Sequence, residues 1–199
     1  MTRGNYWRWR TTFGLALMIV VVLALRLPVG SPLWAQSRRD PLNPLEIDQL
    51  RDAMLDPELR LKLYVQFSRD RMTKLEQMRS DPKTTERARQ THDMLEDFLA
   101  VYDELNDNVD MYVGRKDDIR KPLKAIVEAD TEFQAKLRAL KDSADVKAEE
   151  AAQYEFVLTN ALDTVDTSAE DHRKLQVDLD DAAKHKKLNS AAKNSGKPE

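Results

Sequence analysis

The stretch Ala88-Arg-Gln-Thr91-His-Asp-Met-Leu95-Glu-Asp-Phe98-Leu-Ala-Val-Tyr102-Asp-Glu-Leu105-Asn-Asp-Asn-Val109-Asp-Met-Tyr112 decides the fold. Ala88, Thr91, Leu95, Phe98, Tyr102, Leu105, Val109 and Tyr112 follow one another at alternating steps of three and four. That spacing puts all eight on one stripe of an α-helix, whereas a strand would show alternation by two. The stripe persists for more than three heptads, the pattern of a coiled-coil-like seam that must bury itself against other helices.

The flanking sequence supplies more helices and their ends. Asn43-Pro44, Asp56-Pro57 and Ser80-Asp81-Pro82 each pair a capping side chain with a proline, which suits a first turn because its missing N–H has no partner there. They predict a short helix from Pro44 to Leu55, presenting Leu45 or Ile47, Leu50 and Met54. A second runs from Pro57 to about Arg79 with Leu61, Tyr64 or Val65, Ser68, Met72, Leu75 and Met78 on its stripe. The seam helix spans Pro82 to Val113, roughly 48 Å at 1.5 Å per residue. Gly114 stands where the left-handed residue after a helix belongs, and Pro122 biases the chain against straight continuation. A turn is the reading there; one long helix kinked near Pro122 is the alternative. A fourth helix to about Lys141 carries Leu123, Ile126, Asp130, Phe133, Leu137 and Leu140. After Ser143-Ala-Asp145, a fifth from Val146 to about Ala183 carries Ala151, Tyr154, Leu158, Ala161, Val165, Ser168, His172, Leu175 and Leu179.

Short connections between long amphipathic helices favour antiparallel neighbours. The fold class read from this is all-α: one elongated antiparallel bundle over residues 44–183, with coiled-coil-like seams and one short leading helix. Beyond residue 35 the only glycines are Gly114 and Gly196, too few for the turns of a multi-stranded sheet.

Residues 1–35 read as a signal peptide. Arg3, Arg8 and Arg10 precede an apolar run from Phe13 to Leu25, and Pro28, Gly30 and Pro32 lead to Leu33-Trp34-Ala35, with no acid anywhere in the segment. Thirteen apolar residues cover roughly 20 Å, against about 30 Å of hydrocarbon. Cleavage after Ala35 and export to a periplasmic or extracellular space is therefore the reading, an uncleaved N-terminal membrane anchor the alternative. Residues 36–43, with Arg38, Arg39, Pro41 and Pro44 around them, read as a linker. The chain has no cysteine, so an exported body must rely on apolar burial rather than disulfides.

Without the leader, 28 basic residues face 35 acidic ones. Residues 36–183 hold 23 basic and 34 acidic side chains, a charge that repels nucleic acid. Residues 184–199 hold five lysines and one acid, lack apolar periodicity and read as a disordered basic tail able to make weak contact with anionic envelope components.

Polar residues interrupt two stripes. Asp130 takes a seam position, and a turn centred near 116–117 brings it level with Tyr102. A buried acid needs a partner, so a Tyr102–Asp130 hydrogen bond that fixes helix register is one reading, and an acid or ligand in a functional cavity is the other. As a mere register device, Asp130 replaced by Leu is expected to preserve or raise thermal stability. His172 sits where the last stripe turns polar, as a semi-buried hydrogen-bonder or a metal ligand. The Glu-x-x-His motif of carboxylate-bridged metal bundles is missing, because Arg89 and Ala169 stand three residues before His92 and His172. The acidic run from Asp103 to Asp110 lacks the glycine and spacing of a calcium loop and reads as a solvated face. No nucleophile elbow, phosphate-binding glycine loop or His-Glu-x-x-His motif is present.

These observations point to an exported, non-catalytic helical bundle with no cofactor, a structural or protein-interaction component of the cell envelope that engages a protein partner or itself. Two alternatives remain. One is a chaperone-like binder of unfolded clients, although Leu158-Thr159-Asn160 stops short of the Leu-Thr-x-x-Gln signature of exported Spy-type chaperones. The other is a ligand-binding bundle with a polar site near Asp130 or His172.

Overall fold

The computed structural model describes residues 40–143 and 146–195, with side chains to Leu188. The leader, the start of the linker, Ala144-Asp145 and the last four residues lie outside the described residues. Asp40–Glu199 is one compact unit, and every regular element described in it is helical: α1 (Pro44–Asp52), α2 (Pro57–Ser80), α3 (Arg87–Gly114), α4 (Arg120–Lys141), α5 (Ala148–Ala151) and α6 (Glu155–Ser195).

The four long helices form a ring in the order α2, α3, α6, α4. Cross-helix pairs give their directions. Arg60 meets Asn108 and Arg79 meets Thr91, so α2 and α3 are antiparallel. Gln134 meets Asp166 while Asp130 meets His172, so α4 and α6 are antiparallel as well. The other two sides run parallel: Glu58, Arg69 and Glu76 of α2 pair with Lys121, Glu132 and Lys136 of α4. The expectation of antiparallel neighbours therefore holds for two sides of the ring only. The cause is the α3–α4 connection, which crosses the diagonal instead of joining lateral neighbours.

All eight residues of the α3 stripe are buried, and Phe98, Tyr102 and Phe133 fill the space between the diagonal helices. Their ring centroids lie 5.2 to 5.9 Å apart in one stacked and two edge-on pairs, a geometry that adds roughly 0.5–1.5 kcal/mol per pair to plain burial.

Several boundaries differ from the sequence reading, each for a local reason. Helix α1 stops at Asp52 and buries Glu46 and Leu50, leaving Leu45 and Met54 exposed, because Glu46 is held by Arg71. Asp81-Pro82 does not open α3. The Asp81 carboxylate accepts from the Lys83 N–H, and the Thr84 hydroxyl donates to the Met78 carbonyl, so the pair closes α2. Helix α3 begins five residues later, after a left-handed Glu86. The last helix is interrupted at Ala152–Tyr154, where the Arg79 guanidinium lies 5.5 Å from the centre of the Tyr154 ring and 3.5 Å from Glu150. Nor does it end at Ala183: the backbone stays helical to Ser195. The basic segment is thus a continuation rather than a disordered tail over 184–195. Extending an existing helix carries no nucleation cost, and lysine and alanine are good helix formers.

Gly114 is the last residue of α3, and Lys116 takes the left-handed conformation at φ 63°. The Lys116 N–H bonds to the Val113 carbonyl and the Asp117 N–H to that of Tyr112, both at 3.0 Å, which is a Schellman closure with lysine in the glycine position. A Cβ at residue 114 would meet nothing within 4 Å. Gly114→Ala and Lys116→Gly should therefore each stabilise the fold by about 1 kcal/mol. Together they should raise the melting temperature by about 5 °C in differential scanning calorimetry.

Candidate functional site

The seam of α4 brings Asp130 into the centre of the bundle, where a carboxylate has no water to solvate it. Two side chains replace the water. The Tyr102 hydroxyl of α3 donates to Oδ1 at 2.7 Å, and His172 Nδ1 of α6 lies 2.9 Å from Oδ2. Tyr102 and Asp130 have no exposed surface and His172 retains 4%. All three residues singled out in the sequence thus meet at one point, and the level predicted for Tyr102 and Asp130 is the observed one.

Burial, followed by the Asp130 charge and the hydrogen bond to it, pushes the Tyr102 hydroxyl far above its usual range. A further polar contact between α3 and α6 lies one turn away, where the Asn106 amide donates to the Ser168 hydroxyl at 3.0 Å. Chemically this arrangement ties three helices together. It offers no open face to a substrate, and no group of three or more His, Asp or Glu side chains suited to a metal occurs among the described residues. An open recess of about 430 Å³ at the far end of α3, lined by Glu86, Arg87, Arg89, Lys147, Glu149 and Glu150 among others, contains none of the network.

A second buried charged pair escaped the sequence reading. Glu46 Oε1 and Oε2 each accept from the Arg71 guanidinium at 2.6 Å, and Arg71 also donates to the Pro41 carbonyl at 2.6 Å. Glu46 simultaneously completes a capping box with Asn43. The Asn43-x-x-Glu46 spacing was the available signal. Arg71, three residues after Ser68 on the α2 stripe, was the signal for its partner. The pair latches the segment Asp40–Asn43, whose Leu42 packs against the core, so the end of the expected linker is docked.

Burial raises the Glu46 carboxyl, but the Arg71 hydrogen bonds, the Asn43 N–H and the Arg71 and Lys74 charges outweigh it and leave the group below its ordinary 4.5. A carboxyl lowered on folding contributes stability that is present above its unfolded pKa and lost as pH falls through the folded one. Glu46→Gln should cost about 3 kcal/mol at neutral pH, because Arg71 stays buried without its counter-charge. The difference from the parent chain should narrow as pH falls below the ordinary 4.5 in urea titrations, where the parent progressively loses the same ion pair.

The two partners of Asp130 also correct the expectation for its replacement. Asp130→Leu orphans two buried polar groups, His172 as well as Tyr102, so it should destabilise by about 3 kcal/mol. The triple change Tyr102→Phe, Asp130→Leu and His172→Leu, which removes donors and acceptor together, should recover most of that loss. Urea unfolding of the parent, the single variant and the triple variant measures the recovery.

No protein-family model, curated protein or solved structure matches this chain, and its site is defined by its own geometry.

Proposed function

We propose that this chain is an exported, non-catalytic helical bundle that acts through its surface, as a structural or protein-interaction component of the cell envelope. The observation that carries the reading is the complete internal use of Asp130. The acid best placed to serve a ligand has both oxygens occupied and no exposed surface. The polar residues of the core are thereby spent on holding helices, which favours this reading over a ligand site centred on Asp130.

The leader supports export, and no described helix is long and apolar enough to cross a membrane. A chaperone-like role would draw support from a continuous apolar groove. Apart from Met54, Leu55 and Leu59 at the α1–α2 turn, the exposed large apolar side chains sit on separate elements, such as Leu45 on α1, Phe156 at the start of α6 and Val177 near its middle. A bundle that presents a densely charged surface and keeps its seams inside suits docking of a folded partner or of a second copy better than capture of unfolded chains.

The test is export followed by assembly. Full-length chain fused to alkaline phosphatase, which is active only outside the cytoplasm, should give activity, and the processed product should begin at Gln36 in mass spectrometry. Light scattering on residues 36–199, with crosslinking in intact envelopes, should then give a defined dimer or a stoichiometric complex. An inactive fusion retained in the cytoplasm, or a monomer that crosslinks to nothing, would contradict the proposal.

A further inference from the structure

One end of the bundle differs from the rest in both charge and hydropathy. The α1–α2 turn, the α3–α4 turn and the projecting part of α6 meet there. Arg60 joins the first two by donating to the Leu50 carbonyl at 2.9 Å and to Asn108 at 3.0 Å, and Lys121 pairs with Glu58 at 2.7 Å. Because α4 and α6 are antiparallel with Asp130 level with His172, Arg120 at the start of α4 stands level with about Ala182 of α6, which brings the end of α6 to the same place.

Around this end stand apolar side chains that no neighbour covers. Leu55 is 90% exposed and Met54 62%, with Leu59 and Met111 about half exposed beside them. Three acids of the end are engaged, Glu58 with Lys121, Asp118 with Arg120 at 2.6 Å, and Asp181 with Lys184 at 2.8 Å, and Asp52, Asp110 and Asp180 stand there as well. Past Asp181 the helix carries Lys184, Lys186 and Lys187 within one turn, and from there to Lys197 the sequence has five lysines and no acid. The body before residue 184 is strongly acidic, so the segment from Lys184 onward is the stretch suited to a negative surface.

We propose that this end docks on an anionic lipid surface, with the Lys184–Lys187 turn against the headgroups and Met54, Leu55 and Leu59 seated among them. The inference rests on the envelope location proposed above and names the surface involved. Charge alone would suit an acidic protein equally well, including the body of a second copy. The protruding leucines and methionine decide for lipid, because an interface takes apolar side chains and cations side by side, whereas an acidic helical surface gives Leu55 nothing to bury against.

The test uses residues 36–199, the compact unit with its own core. The protein is floated with vesicles of phosphatidylcholine alone or mixed with phosphatidylglycerol, and circular dichroism checks that each variant is folded. Partition should require phosphatidylglycerol and collapse at about 0.5 M salt, where screening reaches only roughly 4 Å. The combined change Lys184→Glu, Lys186→Glu and Lys187→Glu should lower it about 100-fold or more, and Leu55→Asp about tenfold. Indifference of the parent protein to phosphatidylglycerol would overturn the proposal, as would equal binding by the charge-reversed variant. So would dimers in light scattering that charge reversal dissolves while vesicles are ignored, which would assign the lysines to a second copy. An exported chain that ignores vesicles fails this inference alone, whereas a chain retained in the cytoplasm fails the reading beneath it.

Discussion

A carboxylate sealed from water is the constraint around which this bundle is arranged. Asp130 can occupy the centre only if donors reach both of its oxygens, and the two that do so come from different helices, Tyr102 on α3 and His172 on α6. The tyrosine is long enough to span the diagonal of the ring, which is how helices consecutive in sequence remain bound without lying side by side. The apolar seams supply most of the stabilisation through burial, but a seam of leucines and phenylalanines repeats every heptad and tolerates a slip of one turn. The polar contact has a single alignment that satisfies every group, and slipping from it leaves a buried charge without partners.

The same division accounts for what could be read from the sequence. The α3 stripe was legible in full, because steps of three and four admit one structure and burial follows from it. The meeting of Tyr102 with Asp130 was legible because a hairpin centred near residue 116 fixes which residues are level. The third member was visible only as a histidine where a stripe turns polar; which helix it faced depends on the order of helices in the ring, and local pattern does not encode that order.

The misreadings share a cause, the use of a residue's usual local role where tertiary structure assigned another. Gly114 and Asp81-Pro82 carry the ordinary signals for a helix end and a helix start, yet Lys116 takes the left-handed position and Asp81 closes the helix behind it. Glu46 was left off the stripe read for the first helix, and its burial follows from Arg71, which reaches it from another helix. The break before α6 follows from Arg79 packing over Tyr154, in a segment whose alanines and glutamates favour uninterrupted helix. The projecting end of α6 was misjudged because apolar periodicity signals packing rather than helicity, and a helix already formed needs no face to continue along.

The central claim is that the Asp130 network sets helix register. The chain has no cysteine, so spin labels can be placed through Lys124→Cys on α4 and Asp163→Cys on α6, both exposed positions, and their separation read by pulsed electron resonance. With the network intact the account predicts one narrow distance. With all three members replaced by apolar residues it predicts a broadened distribution containing a population displaced by about 5 Å, one helical turn. The same narrow distance in both chains would contradict the account and leave register to apolar packing alone.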